Sequence, residues 1–111
     1  MNANEVLSLY EAMSVAMRNM LSAAQSQQWE TLLEFEQLVA NITATLQTSG
    51  PEPVMTKEEL ERKGTLIRTM LIDDQEIRRL STARLAVLAT IVNGTGTEKK
   101  IANLYGSARP E

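Results

Sequence analysis

A chain of 111 residues is long enough for one hydrophobic core and too short for two. It contains neither cysteine nor histidine. That excludes disulfides and thiolate metal sites, and it removes zinc chemistry of the usual kind, most nucleophilic triads and the commonest general base. A net charge of -3 argues against a general nucleic-acid binder.

No stretch approaches the eighteen or so apolar residues of a membrane span. The N-terminal MNANEVLSLY lacks the basic start and apolar centre of a signal peptide, so the expected location is cytoplasmic. Aromatic residues are few: Tyr10, Trp29, Phe35 and Tyr105. Apolar packing therefore falls to Leu, Ile, Val, Met and Ala, which suits helices. Charge is divided unevenly. Residues 1–55 hold six acids and one base, Arg18, whereas residues 56–111 hold eight acids and ten bases. The two halves are expected to meet across a complementary intramolecular interface.

The first predicted helix runs from about Asn4 to Ala24. Val6, Tyr10, Met13, Met17, Met20 and Ala24 recur at spacings of three and four, with Leu7 and Leu21 widening the stripe. The second runs from about Gln28 to Thr48, with Leu32, Phe35, Val39, Ile42 and Leu46 in the same rhythm. Trp29, Leu33 and Leu38 add bulk beside them, and Ser26 is the expected N-cap. A short link makes these helices an antiparallel hairpin. Ser49-Gly50-Pro51-Glu52-Pro53 ends the second helix, since Gly fits a helix C-terminus and Pro blocks continuation.

The third helix is expected from Thr56 to Val92. Thr56 and Glu59 form a capping box. Leu60, Ile67, Met70, Leu71, Ile77, Leu80, Leu85, Leu88 and Ile91 follow at helical spacing. Gly64 weakens the helix by about 1 kcal/mol against Ala and marks a point of close contact or slight bending. Asn93-Gly94 stops the helix, and Gly94-Thr95-Gly96-Thr97 reads as a joint. A short fourth helix, Glu98 to Tyr105, then carries Ile101, Leu104 and Tyr105, and a frayed tail follows from Gly106. The expected fold is all-α: an antiparallel three-helix bundle with a long third helix and a short C-terminal fourth. The expected domains are a helical bundle over 1–93 and a hinge with a regulatory helix over 94–111.

Lengths turn this plan into a functional expectation. Helices of about 21 residues are roughly 32 Å long, and one of about 37 residues is roughly 55 Å. The third helix should therefore pass the end of the hairpin near Ile77. The surplus carries Ile77, Leu80, Leu85, Val87, Leu88, Ile91 and Val92. Burying those side chains is worth on the order of 10 kcal/mol as an upper bound, and such a patch normally marks an interface. A second copy, a helix of another protein, or the chain's own terminal helix would cover it. Ile101, Leu104 and Tyr105 give a weak cover that a better ligand displaces.

The remaining chemistry is sparse. Asp73, Asp74 and Glu76 are the one dense carboxylate group, but no phosphate loop accompanies them, and they read as a solvated, ion-paired face beside Arg78 and Arg79. Arg68, Arg78, Arg79 and Arg84 are interleaved with acids and suit contacts to acidic groups better than nucleic acid. Met13, Met17 and Met20 read as core, and Trp29 as a packing anchor. No nucleophile–base pair and no cofactor motif is present, so no enzyme and no cofactor is expected.

Certain segments form a familiar series. A Met/Leu helix leads into Gln28-Trp29-Glu30-Thr31-Leu32-Leu33-Glu34-Phe35-Glu36, and a proline-bearing loop follows. Then come residues 66–80, LIRTMLIDDQEIRRL, with Arg84-Leu85 after them and Ala102-Asn103-Leu104-Tyr105-Gly106 at the close. This order resembles the FliT family of flagellar type III export chaperones. The resemblance implies a small cytoplasmic helical protein that binds the C-terminal segment of the filament-capping protein in an apolar groove. Such a protein prevents premature assembly and delivers its guest to the export ATPase complex and gate. Some members also restrain the flagellar master transcriptional activator, and a C-terminal helix is proposed to mask the groove. On this chain the expected partner contacts are Leu71, Ile77, Leu80, Leu85, Leu88 and Ile91, with Ile101, Leu104 and Tyr105 as the mask. The alternatives are a structural helical homodimer, or a chaperone for a hook-filament junction protein or flagellin.

Overall fold

The computed structural model describes the backbone of residues 1–93 and the side chains of residues 1–91. Three helices and no strand occur among them: α1, Ala3–Gln25; α2, Trp29–Thr48; α3, Lys57–Asn93. The expected joint at Gly94–Thr97 and the fourth helix lie outside the described residues.

Local chemistry accounts for the helix ends. Asn2 caps α1 in a reciprocal box. Its side chain accepts from the Glu5 backbone N–H at 2.8 Å, and the Glu5 carboxylate accepts from the Asn2 N–H at 2.9 Å. Thr56 and Glu59 make the expected box at the start of α3, with distances of 3.1 and 2.8 Å. Ser26 does not cap α2. It closes α1 instead, and the residue preceding α2 is Gln28, which makes no side-chain cap bond. The reason is the turn itself. The Gln28 N–H donates to the Ala23 carbonyl at 2.8 Å and the Gln27 N–H to the Ala24 carbonyl at 3.2 Å. This paired closure requires a left-handed residue between them, and Gln27 takes that place at φ 59°. After α2, Gly50 adopts φ 88°, as a helix C-terminal glycine should.

The chain separates into two units, Met1–Ile77 and Arg78–Glu111. In the first unit, α1 packs along α2. A shallow depression lined by Val6, Tyr10, Leu46 and Ser49 sets the start of α1 beside the end of α2, so the two run antiparallel. The buried side chains are Val6, Leu7, Ala16, Met20, Ala23 and Ala24 of α1, Leu32 and Ile42 of α2, and Met70 and Ile77 of α3. The predicted stripes of α1 and α2 are the covered faces, with Met13, Met17, Phe35, Val39 and Leu46 half-buried.

Charge ties α3 to α1 and to the loop that precedes it. Arg62 pairs with Glu11 of α1 and Lys63 with Glu52 of the loop, and the Lys63 ammonium also lies 5.5 Å from the centre of the Tyr10 ring. Further along, Arg18 Nε donates to Asp73 Oδ2 at 3.1 Å. Contacts that advance together along both helices mean that α1 and the first half of α3 run parallel. Arg62–Glu11 and Lys63–Glu52 join bases of residues 56–111 to acids of residues 1–55, as the uneven charge distribution implies; Arg18–Asp73 crosses in the opposite sense.

Two details differ from expectation. Asp73 is not part of a solvated face; it is 3% exposed and paired. Asp74 and Glu76 are half-buried and also engaged in polar or charge interactions. At Gly64 no neighbouring helix crowds the backbone. An added Cβ would meet only the Arg68 guanidinium, 3.2 Å away on the next turn of α3 itself.

Candidate functional site: the apolar side of the third helix

The expected contact residues divide by burial. Leu71 is 61% exposed, Leu85 54% and Ile91 60%, whereas Leu80 and Leu88 are half-buried. Ile77 is 5% exposed and belongs to the core of the first unit, together with Met70. Its position on the stripe is the one the periodicity gives, but its side chain is already covered. The proposed mask residues Ile101, Leu104 and Tyr105 lie outside the described residues.

In the second unit, helical spacing gathers three of these side chains together with Val87. At 3.6 residues per turn, Leu80, Val87, Leu88 and Ile91 fall within about 100° of one another around the helix. Leu85 lies at the margin of that arc. Val87 is exposed and belongs with the group, so the exposed set is Leu85, Val87 and Ile91, with Leu80 and Leu88 half-buried beside them. Arg84 stands inside the stripe, four residues from both Leu80 and Leu88, and its side chain takes part in a polar or charge interaction. Arg78 and Arg79 point elsewhere around the helix, so the three arginines form no continuous basic stripe.

The first unit has apolar exposure of its own. Leu60 and Leu71 lie on one flank of α3 and Ile72 on the opposite flank, all more than half exposed. On α2, Leu33 and Leu38 are exposed as well. The sequence marks these two as bulk beside the stripe. Which side of a widened stripe stays uncovered depends on the neighbouring helix, and periodicity does not carry that information.

Among the described residues, no group of three or more acidic, His or Cys side chains is placed to hold a metal ion. No helix among the described residues is long and apolar enough to cross a membrane. What the arrangement offers is apolar side chains on a helix, the means by which proteins hold other helices.

No curated protein and no solved structure matches the chain. A family model does. The model described as flagellar protein FliT matches residues 7–107, which takes in all of α2 and α3 and nearly all of α1. The chain belongs to the FliT family of flagellar proteins.

Proposed function

We propose that this protein is a flagellar export chaperone whose guest is the C-terminal segment of the filament-capping protein. The observation that carries the reading is the exposed apolar group Leu85, Val87 and Ile91 on α3 of a FliT-family chain. A helix that leaves such side chains open gains from burying them against an amphipathic segment. Leu80 and Leu88, within the same arc of the helix, extend the contact. The three helices act as a bundle, and the short C-terminal helix with Ile101, Leu104 and Tyr105 covers the site until the guest displaces it. Holding the guest in the cytoplasm prevents premature assembly, and the complex is handed to the export ATPase and gate. Restraint of a flagellar transcriptional activator enters this reading through the family resemblance alone.

Calorimetric titration with the purified C-terminal segment of the capping protein tests it. Saturable binding is expected, and Leu85→Ser with Ile91→Ser should weaken it at least tenfold without loss of helicity. Deleting residues 94–111 should tighten it. Absence of binding by the unaltered chain would overturn the proposal, and binding only to a hook-filament junction protein or flagellin would reassign the guest.

A further inference from the structure

The side of α2 opposite its covered stripe is partly apolar. Leu33, Gln37, Ala40 and Ala44 recur there at spacings of four, three and four, and all are exposed, Leu33 by 58%. At 3.6 residues per turn they lie about 150° around the helix from Leu32, Phe35, Val39, Ile42 and Leu46. Alternating spacings of three and four are those by which one helix lies along another.

The charges around this second stripe are all of one sign. Glu30 stands three residues before Leu33, Glu34 next to it and Glu36 three residues after it, each exposed. No lysine or arginine occurs between Arg18 and Lys57. Glu11, Glu52 and Asp73 each meet a base, whereas Glu30, Glu34 and Glu36 make no side-chain hydrogen bond or ion pair among the described residues. The fold gains little from them. Glu30 lies in the first turn of α2, where a helix favours an acid. Glu34 and Glu36 lie beyond that turn, and Glu34 repels Glu30 at a separation of four residues. Three uncompensated carboxylates around an open leucine complement a helix whose apolar stripe runs between lysines or arginines. Ala40 and Ala44 are short enough to let such a helix come close. The sign of the charge argues against nucleic acid and against an anionic lipid surface.

We propose that the outer side of α2 docks a basic amphipathic helix of a partner protein, with Leu33 as the apolar anchor and Glu30, Glu34 and Glu36 as the counter-charges. The surface lies on α2, apart from the α3 side chains assigned to the guest, and does not depend on the identity of that guest.

The probe is a fluorescein-labelled synthetic helix of leucine, lysine and alanine, with leucines at spacings of three and four and lysines beside them. Fluorescence anisotropy with the full-length chain should show saturable binding that weakens as salt is added. Glu30→Gln, Glu34→Gln and Glu36→Gln together should weaken binding at least tenfold, and Leu33→Ser alone at least threefold. The triple variant should melt at or above the temperature of the parent, because its charges serve no contact within the fold. Glu58→Gln with Glu61→Gln, which removes exposed acids of α3, should change affinity by less than about twofold. Leu85→Ser with Ile91→Ser should leave it unchanged. A probe with glutamates in place of lysines should not bind.

Equal losses from the α2 and α3 acids would reduce the attraction to net charge and overturn the proposal. Loss of binding in the Leu85/Ile91 variant alone would do the same, by placing the probe on α3. A triple variant that melts earlier would make the acids part of the fold. Binding that appears only after removal of residues 94–111 would assign the surface to the chain's own tail. A dimer that the triple substitution dissociates in sedimentation would assign it to a second copy. Each of these three results also overturns the proposal.

Discussion

Gln27 carries a conformational burden that its side chain does nothing to relieve. A non-glycine residue in the left-handed region costs about 1 kcal/mol or more, and the closure of α1 demands that region at this position. Gln27→Gly should raise the stability of the chain by about 1 kcal/mol, read as an increase in melting temperature. Gly64 is the opposite case. It sits in ordinary helix, and the group that an added methyl would meet is the end of the flexible Arg68 side chain. Gly64→Ala should stabilise by about 1 kcal/mol in denaturant unfolding, and a destabilised variant would reveal a contact at this point. Neither outcome was legible in the sequence. Gln27 has no glycine to announce its turn, and Gly64 announces a close approach that the fold does not make.

At the level of elements, the sequence was far more informative. α1 and α2 begin and end, and α3 begins, within a residue or so of their periodic patterns, because Gly50 and the Thr56 box punctuate the chain in chemically specific ways. Burial was less legible, because it is settled between elements. Ile77 and Leu85 read alike along α3, yet the first is enclosed and the second open. Ile77→Ala should cost about 2–5 kcal/mol of stability, as enclosed aliphatic truncations do, whereas Leu85→Ala should fall within about 0.5 kcal/mol of the parent. Urea titration of the two variants separates the residue that holds the fold from the one available to a guest. Equal costs would mean that Leu85 is covered. Asp73 shows the same limit from the polar side. Its neighbours Asp74, Glu76, Arg78 and Arg79 make it read as solvated, and only the approach of Arg18 from fifty-five residues away reveals that it is enclosed.

For the molecule as a whole, family membership and the open apolar side chains of α3 point the same way; the first was foreshadowed by the segments 28–36 and 66–80, the second by a helix longer than its partners. The three helices are not equally committed to the core. α1 contributes six enclosed side chains, while α2 contributes Leu32 and Ile42, leaves Leu33 and Leu38 in water and starts without a side-chain cap. Backbone amides open in cooperative groups whose protection follows such anchoring. Deuterium uptake should therefore reach α2 well before the centre of α1, with Ala16–Ala24 the last segment of the hairpin to exchange; uniform uptake across the hairpin would contradict this. The unequal anchoring divides the labour within the hairpin: α1 is the spine, and α2 is a wall able to yield and reclose while the spine stays intact.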